Sequence, residues 1–171
     1  MPTGGKEADM DAPAILQSYL DEGAAAVLQD DWPTYRDGIS LPCAFISHDE
    51  NKIVATEDDL RDGFNSFRDT LRAQRVTDYV RLVEQASRID GDLISGSYVS
   101  HIMAGGQRVV APFKSLIRLR LVGNRWRATS VTNGLANSRW PLVRLELPAD
   151  TPPDTPAETP ADLIPKSEGP K

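Results

Sequence analysis

An α+β domain, with N-terminal helices packed on a curved antiparallel sheet in the order α-α-β-α-β-β-β-β, is the fold class this sequence predicts. Three observations point to it. Two stretches repeat apolar residues at helical spacing, Leu16-Leu20-Gly23-Val27 and Leu60-Phe64-Phe67-Leu71. From Thr77 the pattern changes to period two, and Asp90-Gly91-Asp92, Gly105-Gly106 and Gly123-Asn124 cut it with the turn chemistry of hairpins. From Pro148 onward Pro, Thr, Asp and Glu dominate, too little apolar area to offset chain entropy, so a disordered acidic tail is expected over 148–171.

The elements follow in order. Residues 1–10 are Gly-rich and acidic without an apolar h-region, a flexible leader rather than a signal peptide. Asp11 as N-cap and Pro13 in the first turn open the first helix, whose apolar stripe Ile15 and Tyr19 widen. Asp30 and Asp31 with Trp32-Pro33 end it and begin a short second helix to Asp37, closed by Gly38. Leu41 to Ser47 reads as a brief strand, and the stretch from His48 to the next helix as a loop. Thr56 caps the third helix, with Asp59 where a capping box places its acid; Asp58, Arg61, Asp62, Arg68 and Arg72 look outward. Four strands then run over 78–89, 93–103, 108–122 and 125–134 as a meander, and Leu142 to Leu147 is an edge strand or a stalk ending a domain of residues 11–147.

The hairpin turns set the register, and the register assigns faces. It places Tyr79, Arg81, Val83, Gln85, Ser87, Tyr98, Ser100, Ile102, Phe113, Ser115, Ile117, Leu119, Leu121, Trp126, Ala128 and Ser130 on the helix side. Val80, Leu82, Glu84, Val99, His101, Val110, Lys114, Leu116 and Val131 fall on the other. A bulge at Pro112, which has no N–H to give the ladder, would change the register downstream. The helix side carries polar groups that are costly to bury without partners, which implies a polar pocket for water or a small-molecule ligand. The back face is too apolar for a solvated surface, so a homodimer through it is expected.

A net charge of −6 argues against nucleic-acid and polybasic membrane-surface binding. No run approaches the ~20 apolar residues of a membrane span. The single cysteine, Cys43, excludes an internal disulfide, reads as a small buried hydrophobe, and suits a cytoplasmic setting. The two histidines lie far apart without clustered acids, so neither a metal site nor a cofactor is implied.

The order of elements over about Asp11 to Asn137 resembles the nuclear-transport-factor-2-like superfamily, which includes the SnoaL-like domains. Local echoes are Leu41-Pro42 before the first strand, Thr56-Glu57-Asp58-Asp59-Leu60 opening the third helix, and Gly123-Asn124-Arg125-Trp126-Arg127 at the last strand. The resemblance implies a cone whose sheet wraps a helix and leaves a pocket at the wide end. Members include isomerases, dehydratases, hydrolases, cyclases and binding or scaffolding modules, so the fold does not select an activity.

Members resembling ketosteroid isomerase carry a carboxylate base and a tyrosine–acid oxyanion hole. In this register the four strands bring no carboxylate to the pocket face, and Val109-Val110-Ala111-Pro112-Phe113-Lys114-Ser115 contains no acid. A base would have to come from His48, next to Asp49, or from Asp37; a solvent-exposed loop is the other reading of His48, and a dimer seam that of His101. Arg81, inward and without an acid on its own face, can hold a carboxylate or phosphate bidentately, or pair with Asp21 or Glu22 on a covering helix. Tyr19 and Tyr98 can offer hydroxyls, and Ser100, Phe113, Ser115, Trp126 and Ser130 complete the expected ligand-binding set. A binding domain is the first reading; an enzyme of the cyclase, dehydratase or isomerase type and a protein-interaction module are the alternatives.

Overall fold

The computed structural model describes residues 11–135; the leader, the Leu142 to Leu147 stretch and the tail lie outside the described residues. The elements are α1 (Ala12–Gln29), α2 (Trp32–Asp37), β1 (Ile39–Ile46), β2 (Asn51–Val54), α3 (Glu57–Ala73), β3 (Asp78–Asp90), β4 (Leu93–Ala104), β5 (Gln107–Arg108), β6 (Phe113–Val122) and β7 (Arg125–Asn133). Among the described residues no helix is long and apolar enough to cross a membrane.

The sheet has seven strands in the order β2-β1-β7-β6-β4-β3, with β5 paired to β4. Its meander is antiparallel as predicted, but β1 runs parallel to β7, which makes the sheet mixed. The residues after His48, expected as a loop, instead form β2 and pair back on β1 as a hairpin.

Parity explains which faces follow the predicted register. At the Gly105-Gly106 turn Met103 pairs with Arg108, yet Ser100 pairs with Phe113, so four residues, 109–112, stand opposite two. An even excess leaves facing unchanged, and Tyr98, Ser100, Phe113 and Ser115 all keep the helix side. The excursion that contains Pro112 turns Val109 and Val110 into the core, where Val110 is buried rather than on the back face. Single-residue bulges act differently. Val83 pairs with Tyr98 but Gln85 with Ser97, leaving Glu84 unpaired; Ala86 and Arg88 then take the helix side in place of Gln85 and Ser87. Leu119 pairs with Ala128 but Arg118 with Ser130, so Thr129 is the extra residue and Val131, opposite Ile117, turns inward while Ser130 turns out.

Two apolar clusters fill the space between helices and sheet. Leu16 and Leu20 of α1 pack with Ile94, Tyr98, Ile117, Leu119 and Ala128. Phe64 and Leu71 of α3 pack with Val27, Ile102 and Val109, and the rings of Trp32, Tyr35 and Phe64 tie α2 to α3. Thr56 accepts the Asp59 N–H at 3.2 Å, as its capping position predicts. Asp11 makes no capping bond from its side chain, because its backbone is already helical (φ −91°, ψ −18°) and does not aim the carboxylate back at the first turn. At the other end of α1, Asp30 takes a left-handed conformation (φ 61°) and its carboxylate pairs with Arg68 and Arg72 of α3. The Arg68 hydrogen bond holds that carboxyl below the usual carboxylate range.

Helix α1 lies along β3 and is seated on β4 at Gly96. An added Cβ at Gly96 would collide with the Leu16 side chain and stand 2.8 Å from the Gln85 carbonyl oxygen. Gly96→Ala should therefore lower stability by about 1–3 kcal/mol, the usual cost of overpacking where backbone cannot give way. The check is a urea titration; an unchanged midpoint would mean α1 is not held at this place.

Candidate functional site

Between α1, α2, the β1–β2 hairpin and the helix side of the sheet lies a cavity of about 150 Å³. Its walls are largely apolar: Val27 from α1, Ile39 from β1, Phe67 from α3, Ile102 from β4, Phe113 and Ile117 from β6. Four phenol rings, Tyr19, Tyr35, Tyr79 and Tyr98, and one guanidinium, Arg81, add polar edges to this lining. Glu22, Arg125, Glu50 and Asn133 complete its polar margin.

Helix geometry puts Tyr19, Glu22, Gly23 and Val27 of α1 along the cavity, at the three- and four-residue steps that share a face. Tyr19 donates its hydroxyl hydrogen to the Gly38 carbonyl at 2.8 Å, so its ring lines the space while its donor is committed to the backbone. Burial holds the Tyr19, Tyr35 and Tyr98 phenols above the ordinary tyrosine range, which keeps them neutral hydrogen-bonding groups.

Arg81 projects from β3 toward α1. Its Nη2 donates to the Leu20 carbonyl, and Gly23 leaves the room, since a Cβ there would sit 2.8 Å from Nη2. The guanidinium carbon lies 5.0 Å from the Tyr79 ring centre and 5.8 Å from that of Tyr98. Nε is sealed from solvent and has no hydrogen-bond acceptor among the described residues. The expected ion pair with Asp21 or Glu22 is not formed: Gln17 donates to Asp21, and Glu22 pairs with Arg125 at 2.9 Å.

The Glu22–Arg125 pair continues into a network. Arg125 Nε also meets Asp37 at 2.9 Å, and Arg127 meets the other Asp37 oxygen at 2.9 Å. Asp37 is thus bound by two arginines outside the cavity lining, a poor arrangement for a base that must accept a proton. His48, with 86% of its side chain exposed and Asp49 3.2 Å away, also lies outside the lining.

Of the expected ligand-binding set, Tyr19, Arg81, Tyr98 and Phe113 line the cavity. Ser100 and Ser115 are buried on the same face without reaching it, and Ser100 Oγ has no hydrogen-bond partner among the described residues. Trp126 borders a separate, shallow groove with Ile15, Ser18 and Asn124, and its ring lies 5.5 Å from the Arg88 guanidinium. Ser130 is turned away by the Thr129 bulge. Glu50, Val131, Asn133 and Gly23 are lining residues that the strand register missed. Glu50 comes with a hairpin read as a loop and Val131 with a bulge. Gly23, inside an otherwise apolar helix stripe next to Glu22, was the available signal of a close approach.

Cys43 is buried in the first cluster, where burial pushes its thiol up to about 12, an inert core group. Among the described residues no three His, Cys, Asp or Glu side chains gather as metal ligands would.

Several solved structures share this architecture. A nuclear-transport-factor-2-like protein of unknown function from Shewanella oneidensis superposes with a TM-score of 0.57 at 8% identity, over 71% of this chain and 98% of that one. A protein of unknown function with a cystatin-like fold from Nostoc punctiforme gives 0.55 at 12%, over 73% and 91%. A candidate ketosteroid isomerase from Shewanella frigidimarina gives 0.53 at 12%, over 68% and 92%. No protein-family model and no curated protein matches the sequence. At such identities the likeness shows the fold alone: the chain has the nuclear-transport-factor-2-like, SnoaL-like cone fold.

Proposed function

We propose that this chain is a small-molecule-binding domain that works as a homodimer in a reducing, cytoplasmic setting, its ligand held in the cavity between α1 and the sheet. The observation that carries the reading is the cavity: about 150 Å³, walled by aliphatic and aromatic side chains, with a few fixed polar groups. A space of that size admits a single-ring molecule. Burying a body of about six carbons contributes on the order of 5 kcal/mol at ~0.8 kcal/mol per CH₂, before ordering costs. Filling the space should remove binding without unfolding the domain. Val131, half-buried at the cavity wall, is the position to enlarge. Native mass spectrometry of protein from its own host should show a small molecule that is absent from Val131→Phe; identical spectra for both would count against the cavity as the site.

A second reading is favoured by one observation, the Glu50 carboxylate in the cavity lining. An enzyme of the cyclase, dehydratase or isomerase type needs a base within reach of its bound substrate, and Glu50 is better positioned for that than His48 or Asp37. Under this reading Glu50→Gln keeps ligand affinity and loses turnover by about 100-fold or more, the usual scale of a general base. Unchanged turnover of every accepted substrate would leave the binding reading alone.

Support for the dimer comes from the face turned away from the helices. Val80, Leu82 and Leu116 are 43%, 51% and 52% exposed there, and Leu82 pairs across the ladder with Val99. His101 lies on the same face opposite Val80, and the Glu84–Lys114 ion pair at 2.6 Å borders the patch. A second copy covering this patch removes the apolar area from water. Leu82→Glu should give a species of half the mass by size-exclusion chromatography with light scattering, and an unaltered mass would exclude this interface.

A further inference from the structure

We infer that the cavity takes a monoanionic ligand, a ring-sized carboxylate whose charged end is held by Arg81. This deepens the small-molecule reading and rests on it. Arg81 is a cavity-lining cation whose recorded partners are a backbone carbonyl and the faces of Tyr79 and Tyr98, not a carboxylate. A guanidinium has five N–H donors and no acceptor, and a single hydrogen bond, to Leu20, is recorded for it among the described residues. Withdrawing a cation from water is costly unless an anion or several acceptors replace the solvent. The other arginine of the lining, Arg125, is neutralised by Glu22 and Asp37, and Glu50 makes interactions of its own. The charge demand of the cavity therefore centres on Arg81.

The class of anion follows from size and charge. A planar carboxylate matches the guanidinium fork and carries the one negative charge that one cation balances. A phosphate monoester would bring close to two charges, the second of them uncompensated against apolar walls. The rest of the ligand meets Phe67, Phe113, Ile102 and Ile117, which suits a ring or short branched chain rather than a sugar. Gly23 is part of the same device, because any side chain there would push into the guanidinium.

Isothermal titration of the wild-type protein with benzoate and with benzamide, its neutral near-isostere, tests the inference. Benzoate should bind about tenfold or more tightly, the worth of a charge-assisted hydrogen bond. Arg81→Met should bring the two probes to equal affinity, and Arg81→Lys should restore part of the preference. Arg81 also touches α1, so a variant that fails to fold leaves the wild-type ratio to decide. Equal affinity for benzoate and benzamide in the wild type would overturn the anion inference and leave the cavity reading standing. If neither probe binds, the cavity is not a site for ring-sized molecules, and the inference falls with that reading.

Discussion

The arrangement depends on how the exposed edge of β3 is satisfied. An edge strand presents unpaired N–H and C=O groups. Here the side-chain amide of Gln17 takes the place of a neighbouring strand, donating to the Arg81 carbonyl at 2.7 Å and accepting from the Val83 N–H at 3.0 Å. Two residues on β3 and one on α1 thus behave as a short piece of ladder. Arg81 adds a second tie from the same strand to the Leu20 carbonyl. With α1 fixed against β3 and seated over Gly96, the helix forms one wall of the space above the sheet.

That fixed geometry decides the chemistry of the wall. The helix face presented inward alternates large apolar residues with Tyr19, Glu22 and Gly23, so one element contributes ring surface, a charge and a gap. The charge is met from β7 by Arg125, and Asp37 at the end of α2 joins the two arginines of that strand. Four charged groups from three elements therefore neutralise one another around the start of β7, where isolated pairs would be worth little. Arg81 stands apart from this network. Its charge is spread over aromatic faces and a carbonyl, an arrangement that leaves binding capacity in hand.

Bulges set which side chains the sheet offers. At Glu84 and Thr129 one unpaired residue inverts everything beyond it, whereas the excursion at 109–112 adds an even number and inverts nothing. Val131 reaches the cavity by this arithmetic, and Ser130 and Gln85 lose the place that unbroken alternation would assign them. The same bulge on β3 lets Ala86, a small residue, sit under α1 close to Gly96, which suits a helix lying against the strand.

Much of the fold was legible in the sequence because its signals are local. Helical spacing located α1 and α3, Thr56 its cap, and the Gly-containing turns the hairpins of β3, β4, β6 and β7, since each depends on contacts within a few residues. The inward facing of Arg81, Tyr98 and Phe113 was legible for the same reason: each lies where the alternation from its turn is unbroken or shifted by two. Tertiary structure alone decided the rest. Whether a strand bulges at Glu84 or Thr129 is set by how the sheet fits the helix above it, and whether Asn51–Val54 is a loop or a strand by the presence of β1 beside it. Glu50 entered the cavity, and Glu22 chose Arg125 over Arg81, through contacts between residues distant in the chain. Local pattern fixes which residues alternate; only packing fixes where the alternation slips, and one slipped residue exchanges the two faces of a strand.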